Sequence, residues 1–221
     1  MTRVFLVRHG ATSRTAEDRF SGDVGVDLSD EGRRQARALA DRLHGCPIHA
    51  VYASPLSRTR ETAEIVGHGR GLSIEARDGL REIGHGHWEG LTRREVESRF
   101  PEEYSAWEED PFTYAPEGGE SGVSVLSRAL PVMREIVVAH PSSTVLVVSH
   151  KATIRLLLAS LLGFDMRGYR DRLDQAPACL NIVEFKDPVR ARLMLFNDVS
   201  HYAPQSRRPE PNLSSWWDSS G

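Results

Sequence analysis

Two histidines stand just beyond short runs of apolar, strand-forming residues. Val4-Phe5-Leu6-Val7 leads into Arg8-His9-Gly10, and Thr144-Val145-Leu146-Val147-Val148 leads into Ser149-His150. A third run, Ala50-Val51-Tyr52-Ala53, is followed by Ser54-Pro55-Leu56-Ser57-Arg58, which puts Arg58 in the first turn of a helix. In open α/β sheets the ligand crevice lies at the carboxyl ends of the strands. Three strand ends therefore bring two imidazoles and two guanidiniums, Arg8 and Arg58, to one place. Such a cluster is costly when nothing balances it and favourable around a dianion, and the arginine fork matches phosphate oxygens. A cation in a first helical turn also opposes the helix dipole unless an anion lies between them. The spacing asks for phosphate.

Positioning these side chains needs a sheet buried on both faces. Val4 to Val7 and Thr144 to Val148 are continuously apolar, as in parallel strands covered on both sides. Ser29 caps a predicted helix from Asp30 to Leu43, and a second helix starts with Ser54 as cap and Pro55 at its first position, stopping near Gly67. An edge strand is predicted at Leu72 to Ile74, short helices at Thr92 to Phe100 and Glu102 to Glu109, and a long one from Ser121 to His140. A helix from Lys151 to Leu162 ends at Gly163, and strands at Leu180 to Phe185 and Arg192 to Phe196 flank a turn at Asp187-Pro188. Alternation of strands and helices predicts a three-layer α/β/α fold with a mostly parallel central sheet. Residues 1–203 read as one domain, and 204–221 as a Pro/Ser-rich flexible tail that carries Trp216-Trp217.

Composition narrows the partners. The 221 residues carry 28 Lys+Arg against 31 Asp+Glu, a formal charge of −3, so no basic excess drives nucleic-acid binding. No apolar run reaches the roughly 18 residues of a membrane span, and Arg8 interrupts the first one too early for a secretory core. Cys46 and Cys179 form neither a zinc spacing nor a disulfide framework. A cytoplasmic protein that binds neither nucleic acid nor membrane is expected, with no metal and no cofactor.

Five segments together resemble the histidine phosphatase superfamily, also called phosphoglycerate-mutase-like. They are Arg8-His9-Gly10, Ser54-Pro55-Leu56-Ser57-Arg58-Thr59 with Glu61-Thr62, Leu80-Arg81-Glu82 before Trp88-Glu89-Gly90, Gly118-Gly119-Glu120-Ser121, and Val147-Val148-Ser149-His150. The resemblance spans about residues 3 to 202 and keeps the family's motif order. It implies that His9 is a nucleophile that becomes phosphohistidine, that Arg8, Arg58 and His150 grip the phosphoryl oxygens, and that Glu82 is the general acid and then the base. Neighbouring cations that keep an imidazole neutral, and so nucleophilic, agree with that role. Two arginines and an imidazolium can stand in for magnesium in phosphoryl transfer.

The chain also departs from the family pattern. Thr15 replaces an asparagine that helps to hold phosphate, Arg14 replaces a tryptophan, and Lys151 follows His150 where a small residue is common. Thr15 keeps one hydrogen-bond donor. Arg14 and Lys151 add positive charge, and both point to a second acidic group on the substrate. The alternative for Arg14 is an ion pair with Glu17 or Asp18, and for Lys151 it is solvent. His85 and His87 alternate, so only one of them can face the crevice, and His85 is the candidate for substrate contact. The resemblance implies a phosphatase acting on a small phosphorylated metabolite. A mutase that returns the phosphoryl group to the substrate, or a silent phosphate-binding module, are the alternatives. Glu82 and His150 lie 68 positions apart, the compact arrangement of the family's phosphatases rather than its mutases. A homodimer is a possible assembly, as is common in the family.

Overall fold

The computed structural model describes residues 1–16, 19–22 and 25–203. The tail, with Trp216 and Trp217, and the carboxylates of Glu17 and Asp18 lie outside the described residues.

Six strands form one sheet: β1 (Thr2–Arg8), β2 (Ala50–Ala53), β3 (Ile74–Ala76), β4 (Thr144–Ser149), β5 (Leu180–Phe185) and β6 (Ala191–Asp198). Their order is β3-β2-β4-β1-β5-β6. β3, β2, β4 and β1 run parallel, while β5 joins β1 antiparallel and β6 joins β5 antiparallel. Alternate residues of the central strands feed two separate cores, as the period of two requires. Val4 and Leu6 of β1 and Val145 and Val147 of β4 pack under α5 (Gly122–Ala139) and α6 (Lys151–Leu162). Phe5 and Val7, with Leu146 and Val148, pack under α1 (Asp30–Leu43) and α2 (Ser57–Gly67). The result is the three-layer architecture predicted. A third aromatic cluster, from Phe20, Trp88, Val96, Tyr104 and Trp107, is built with α3 (Arg93–Arg99) and α4 (Pro101–Glu109). No helix among the described residues is long and apolar enough to cross a membrane.

Local signals explain most boundaries. Ser29 accepts from the Gly32 N–H at the start of α1, and Thr92 and Glu95 form a reciprocal capping box on α3. Two expectations are corrected. The second helix begins at Ser57, with Leu56 as its uncapped first boundary, while the Ser54 hydroxyl meets His150 Nε2 at 2.8 Å and accepts from the Leu56 N–H at 3.4 Å. The edge strand lies at Ile74–Ala76, where it pairs with Val51 to Ala53, rather than at Leu72 to Ile74. Met194 is 51% exposed because β6 is an edge strand whose side chains alternate outward.

Candidate active site

β1 and β4 end side by side, with Arg8 in register with Ser149. The next residues are His9 and His150, so pairing of the strands brings the two imidazoles together. Their ring centroids lie 5.2 Å apart and nearly edge to face. Gly10 then allows the chain to pass over α1: a Cβ there would sit 2.5 Å from the Gly32 carbonyl oxygen. Its N–H donates to Thr62 Oγ1 of α2, whose hydroxyl donates in turn to the Arg58 carbonyl. The motif around Arg58 therefore ties the β1 end to the helix that carries the guanidinium.

A cavity of about 170 Å³ opens at these strand ends. Arg8, His9, Arg58 and Glu82 all line it, and so do Arg14, Thr15, His85 and Lys151. His150 is fully buried behind them, outside the cavity wall proper. Arg8 donates to the Gln175 carbonyl at 2.6 Å, and Arg58 to the Gly22 carbonyl at 3.0 Å.

The two imidazoles are prepared differently. His9 Nδ1 lies 2.7 Å from the Gly10 carbonyl oxygen, which can only accept, so Nδ1 carries the proton and Nε2 carries the lone pair of the neutral ring. Burial, then the charges of Arg58 and Arg8, hold His9 well below the ordinary histidine range, against the opposing pull of the Gly10 carbonyl. Burial likewise lowers His150, helped by Arg58, His9 and Arg8. His150 Nε2 meets Ser54 Oγ at 2.8 Å, while its Nδ1 is buried with no hydrogen-bond partner among the described residues.

Glu82 and its segment are held by contacts from β4, α5 and α6. Its carboxylate accepts from the Ala152 and Thr153 N–H groups at 3.4 and 3.3 Å, the first turn of α6, which has no side-chain cap of its own. That end of a helix favours an anionic oxygen. Its backbone is fixed as well. Ser149 Oγ donates to the Leu80 carbonyl, Thr153 Oγ1 to the Arg81 carbonyl, and Arg128 Nη2 to the Glu82 carbonyl at 2.9 Å. Arg128 also grips Glu120, whose carboxylate accepts from the Gly84 N–H.

The remaining expected residues fall as follows. Thr15 sits in a 3-10 turn, Ser13–Ala16, where its Oγ1 accepts from the Thr12 N–H at 2.9 Å. Arg14 Nη1 is buried without a hydrogen-bond partner among the described residues. Of the alternating pair, His85 faces the cavity, and burial pushes it down to about 4. His87 turns away and meets Glu103 at 3.2 Å. The Lys151 ammonium is 3.9 Å from Asp174 rather than directed wholly into solvent.

The sequence reading missed several cavity residues, among them Arg155, Tyr169, Arg170 and Trp107. Arg155 had a visible signal, an arginine inside the apolar run Ile154-Arg155-Leu156-Leu157-Leu158. Arg170 had none; it stacks 4.2 Å over the Trp107 ring and donates to the Trp107 carbonyl. Among the described residues no group of three or more His, Cys, Asp or Glu side chains is placed to hold a metal.

Comparison with known proteins agrees with this geometry. The family profile described as "Histidine phosphatase superfamily (branch 1)" matches residues 4–199. "Phosphoserine phosphatase 1" of Hydrogenobacter thermophilus is 36% identical over 166 residues, covering 75% of this chain and 79% of that protein. "Glucosyl-3-phosphoglycerate phosphatase" of Mycolicibacterium vanbaalenii is 37% identical over 171 residues, covering 74% and 76%. The solved structure "Bacillus stearothermophilus YhfR" superimposes with a TM-score of 0.85 at 33% identity, covering 91% of this chain and 99% of that one.

Proposed function

The chain belongs to the histidine phosphatase superfamily (branch 1), a phosphoric monoester hydrolase by family, and on that premise we propose that it works through a phosphohistidine at His9 without a metal ion. The observation that carries this reading is the state of His9. Its Nδ1 is committed to the Gly10 carbonyl, so the lone pair on Nε2 belongs to a ring that borders the same cavity as Arg8, Arg58 and Glu82.

The reaction then runs in two steps. His9 Nε2 attacks phosphorus, the ester P–O bond breaks, and Glu82 delivers a proton to the leaving alkoxide. Water next attacks the phosphohistidine, Glu82 takes its proton, the P–N bond breaks, and inorganic phosphate leaves. Arg8 and Arg58 neutralise the equatorial oxygens, a task given elsewhere to magnesium. A bound dianion also reverses the electrostatics at His150. The imidazole that burial, then Arg58 and Arg8, keep neutral gains an anionic neighbour, and its buried Nδ1 becomes a donor to a phosphoryl oxygen.

The substrate is a small phosphorylated metabolite. The relatives named for phosphoserine and for glucosyl-3-phosphoglycerate support that class without choosing a member. The test is rapid-quench labelling with a phosphomonoester in the presence of EDTA. An acid-labile, alkali-stable phosphoenzyme is expected, absent in His9→Ala, with turnover lowered by roughly 10³-fold or more. Undiminished turnover in His9→Ala overturns the nucleophile. Loss in EDTA that Mg²⁺ or Zn²⁺ restores overturns metal independence.

A further inference from the structure

Arg8 and His9 are both tied to the turn at residues 174–179, which leads into β5. Arg8 Nη1 donates to the Gln175 carbonyl at 2.6 Å, and the His9 carbonyl accepts from the Ala178 N–H at 3.0 Å. One turn thus holds two successive residues of the site. The anchor at Gln175 is a neutral carbonyl, which fixes a guanidinium without cancelling its charge. Arg58 carries a like charge close by, and the two repel each other until an anion separates them. A fixed acceptor holds Arg8 in place against that repulsion.

The turn does not hold its shape by local preference. Ala178 sits at φ +49°, in the left-handed region that a residue with a Cβ adopts only when its surroundings impose it. The surroundings here are three side-chain amides. Gln175 and Asn181, both fully buried, face each other: Gln175 Nε2 donates to Asn181 Oδ1 at 3.0 Å, and Asn181 Nδ2 donates back to Gln175 Oε1 at 2.7 Å. Asn181 Nδ2 also donates to the carbonyl of Leu6 on β1, and its Oδ1 accepts from the Asn197 N–H. Every hydrogen-bonding position of the Asn181 amide is therefore filled. The Cys179 thiol donates to Gln175 Oε1, and Asn197 Oδ1 accepts from the Ala176 N–H at 2.7 Å. A satisfied buried network of this kind specifies one geometry, and breaking it leaves buried groups unpaired. None of the three amide residues lines the cavity, so none is placed to touch substrate.

We propose that Gln175, Asn181 and Asn197 are positioning residues for Arg8: their amides fix the turn whose carbonyl holds the guanidinium at the phosphoryl site. They act through Arg8 and touch no reacting atom. The assignment rests on the phosphatase reading above, in which Arg8 grips the phosphoryl oxygens, and it goes further by naming what preorganises that grip.

Calorimetric titration with inorganic phosphate tests this without requiring turnover. Gln175→Met keeps the shape of the side chain but removes its amide, and phosphate is expected to bind about tenfold more weakly. Asn197 is half-buried and sits at φ +49°, so Asn197→Gly suits the backbone, removes the side-chain bond to Ala176, and should weaken phosphate roughly threefold. In an Arg8→Ala background each change should cost at most about twofold, because the residue it acts through is gone. The acid limb of kcat/KM for p-nitrophenyl phosphate should also move upward in Gln175→Met. A displaced Arg8 opposes protonation of His9 less, while Arg58 and His150 still face it. Circular dichroism checks folding, and if Gln175→Met does not fold, Asn197→Gly decides alone. Phosphate binding at wild-type strength in the folded variants overturns the proposal, and so do losses that persist undiminished in Arg8→Ala. A wild-type protein that binds phosphate but does not hydrolyse p-nitrophenyl phosphate overturns the phosphatase reading and not the positioning, which the binding series still decides. One that binds no phosphate overturns both.

Discussion

Ser54 Oγ lies 2.8 Å from His150 Nε2, across 96 positions of sequence. The contact joins the ends of β2 and β4, and it leaves Nδ1 as the ring nitrogen with no partner among the described residues. Ser54 therefore sets how the second imidazole is turned and which nitrogen is available to a phosphoryl oxygen. Ser54→Ala removes one buried hydrogen bond, about 1–2 kcal/mol, so kcat/KM is expected to fall roughly tenfold. Steady-state kinetics beside circular dichroism checks this. A variant as active as wild type would show that the contact does not orient His150.

The acid limb of the pH–rate profile follows from His9. Its proton affinity is held well below the ordinary value of 6.5 by burial and by Arg58 and Arg8, so the nucleophilic neutral ring persists as pH falls through 6.5. The kcat/KM for p-nitrophenyl phosphate is expected to show no enzyme-derived loss at 6.5, only at lower pH. Replacing the nearby charge, Arg58→Gln, should move that limb upward. A limb fixed at 6.5 in both proteins would remove the electrostatic control of His9.

Stability carries the same asymmetry. Unfolded, each imidazole takes its proton near pH 6.5, whereas folded His9, His150 and His85 resist it, His85 until about 4. Above pH 6.5 both states are neutral and these groups contribute nothing. Below it the unfolded chain binds protons that the folded chain does not, so stability falls by at most about 1.4 kcal/mol per pH unit for each histidine. Urea unfolding between pH 7.5 and 5 should show a loss on the order of 2–5 kcal/mol. Inorganic phosphate should flatten the slope, because an anion lets His150 keep its proton. A flat profile without phosphate would contradict the burial argument.

The strand ends were legible because each histidine follows an uninterrupted apolar run, and two such runs in a buried parallel sheet must end at the same edge. Ser54 was misread for an equally physical reason. Serine before proline is a common helix start, and only the fold reveals that His150 competes for the hydroxyl. Arg155 reads as a charge spoiling an apolar helix until the sheet shows which side of α6 borders the cavity. Arg170 and Trp107 belong to segments 63 positions apart that meet only through tertiary packing, and nothing local marks them. The Arg128 contacts with the segment from Gly79 to Glu82 were invisible for the same reason, since they join side chain to backbone carbonyls, which have no sequence signature.

On the proposed mechanism those contacts make Arg128 a positioning residue for the acid step. One guanidinium donates to the carbonyls of Gly79, Arg81 and Glu82, and its other edge is held by both oxygens of Glu120. Lysine keeps the charge but cannot reproduce this fork, so Arg128→Lys should loosen the Glu82 segment without removing its carboxyl. Protonation matters for an alkyl alkoxide and hardly for p-nitrophenolate. Glu82→Gln is therefore expected to cost roughly 10²–10⁴-fold on an alkyl phosphate and far less on p-nitrophenyl phosphate. Arg128→Lys should follow the same pattern at roughly tenfold, about the effect of 1.4 kcal/mol of misplacement. Because both changes act on one proton transfer, the double variant should be no slower than Glu82→Gln alone. Equal losses on the two esters would mean that Arg128 merely supports the fold, and additive losses would mean that it acts through something other than Glu82.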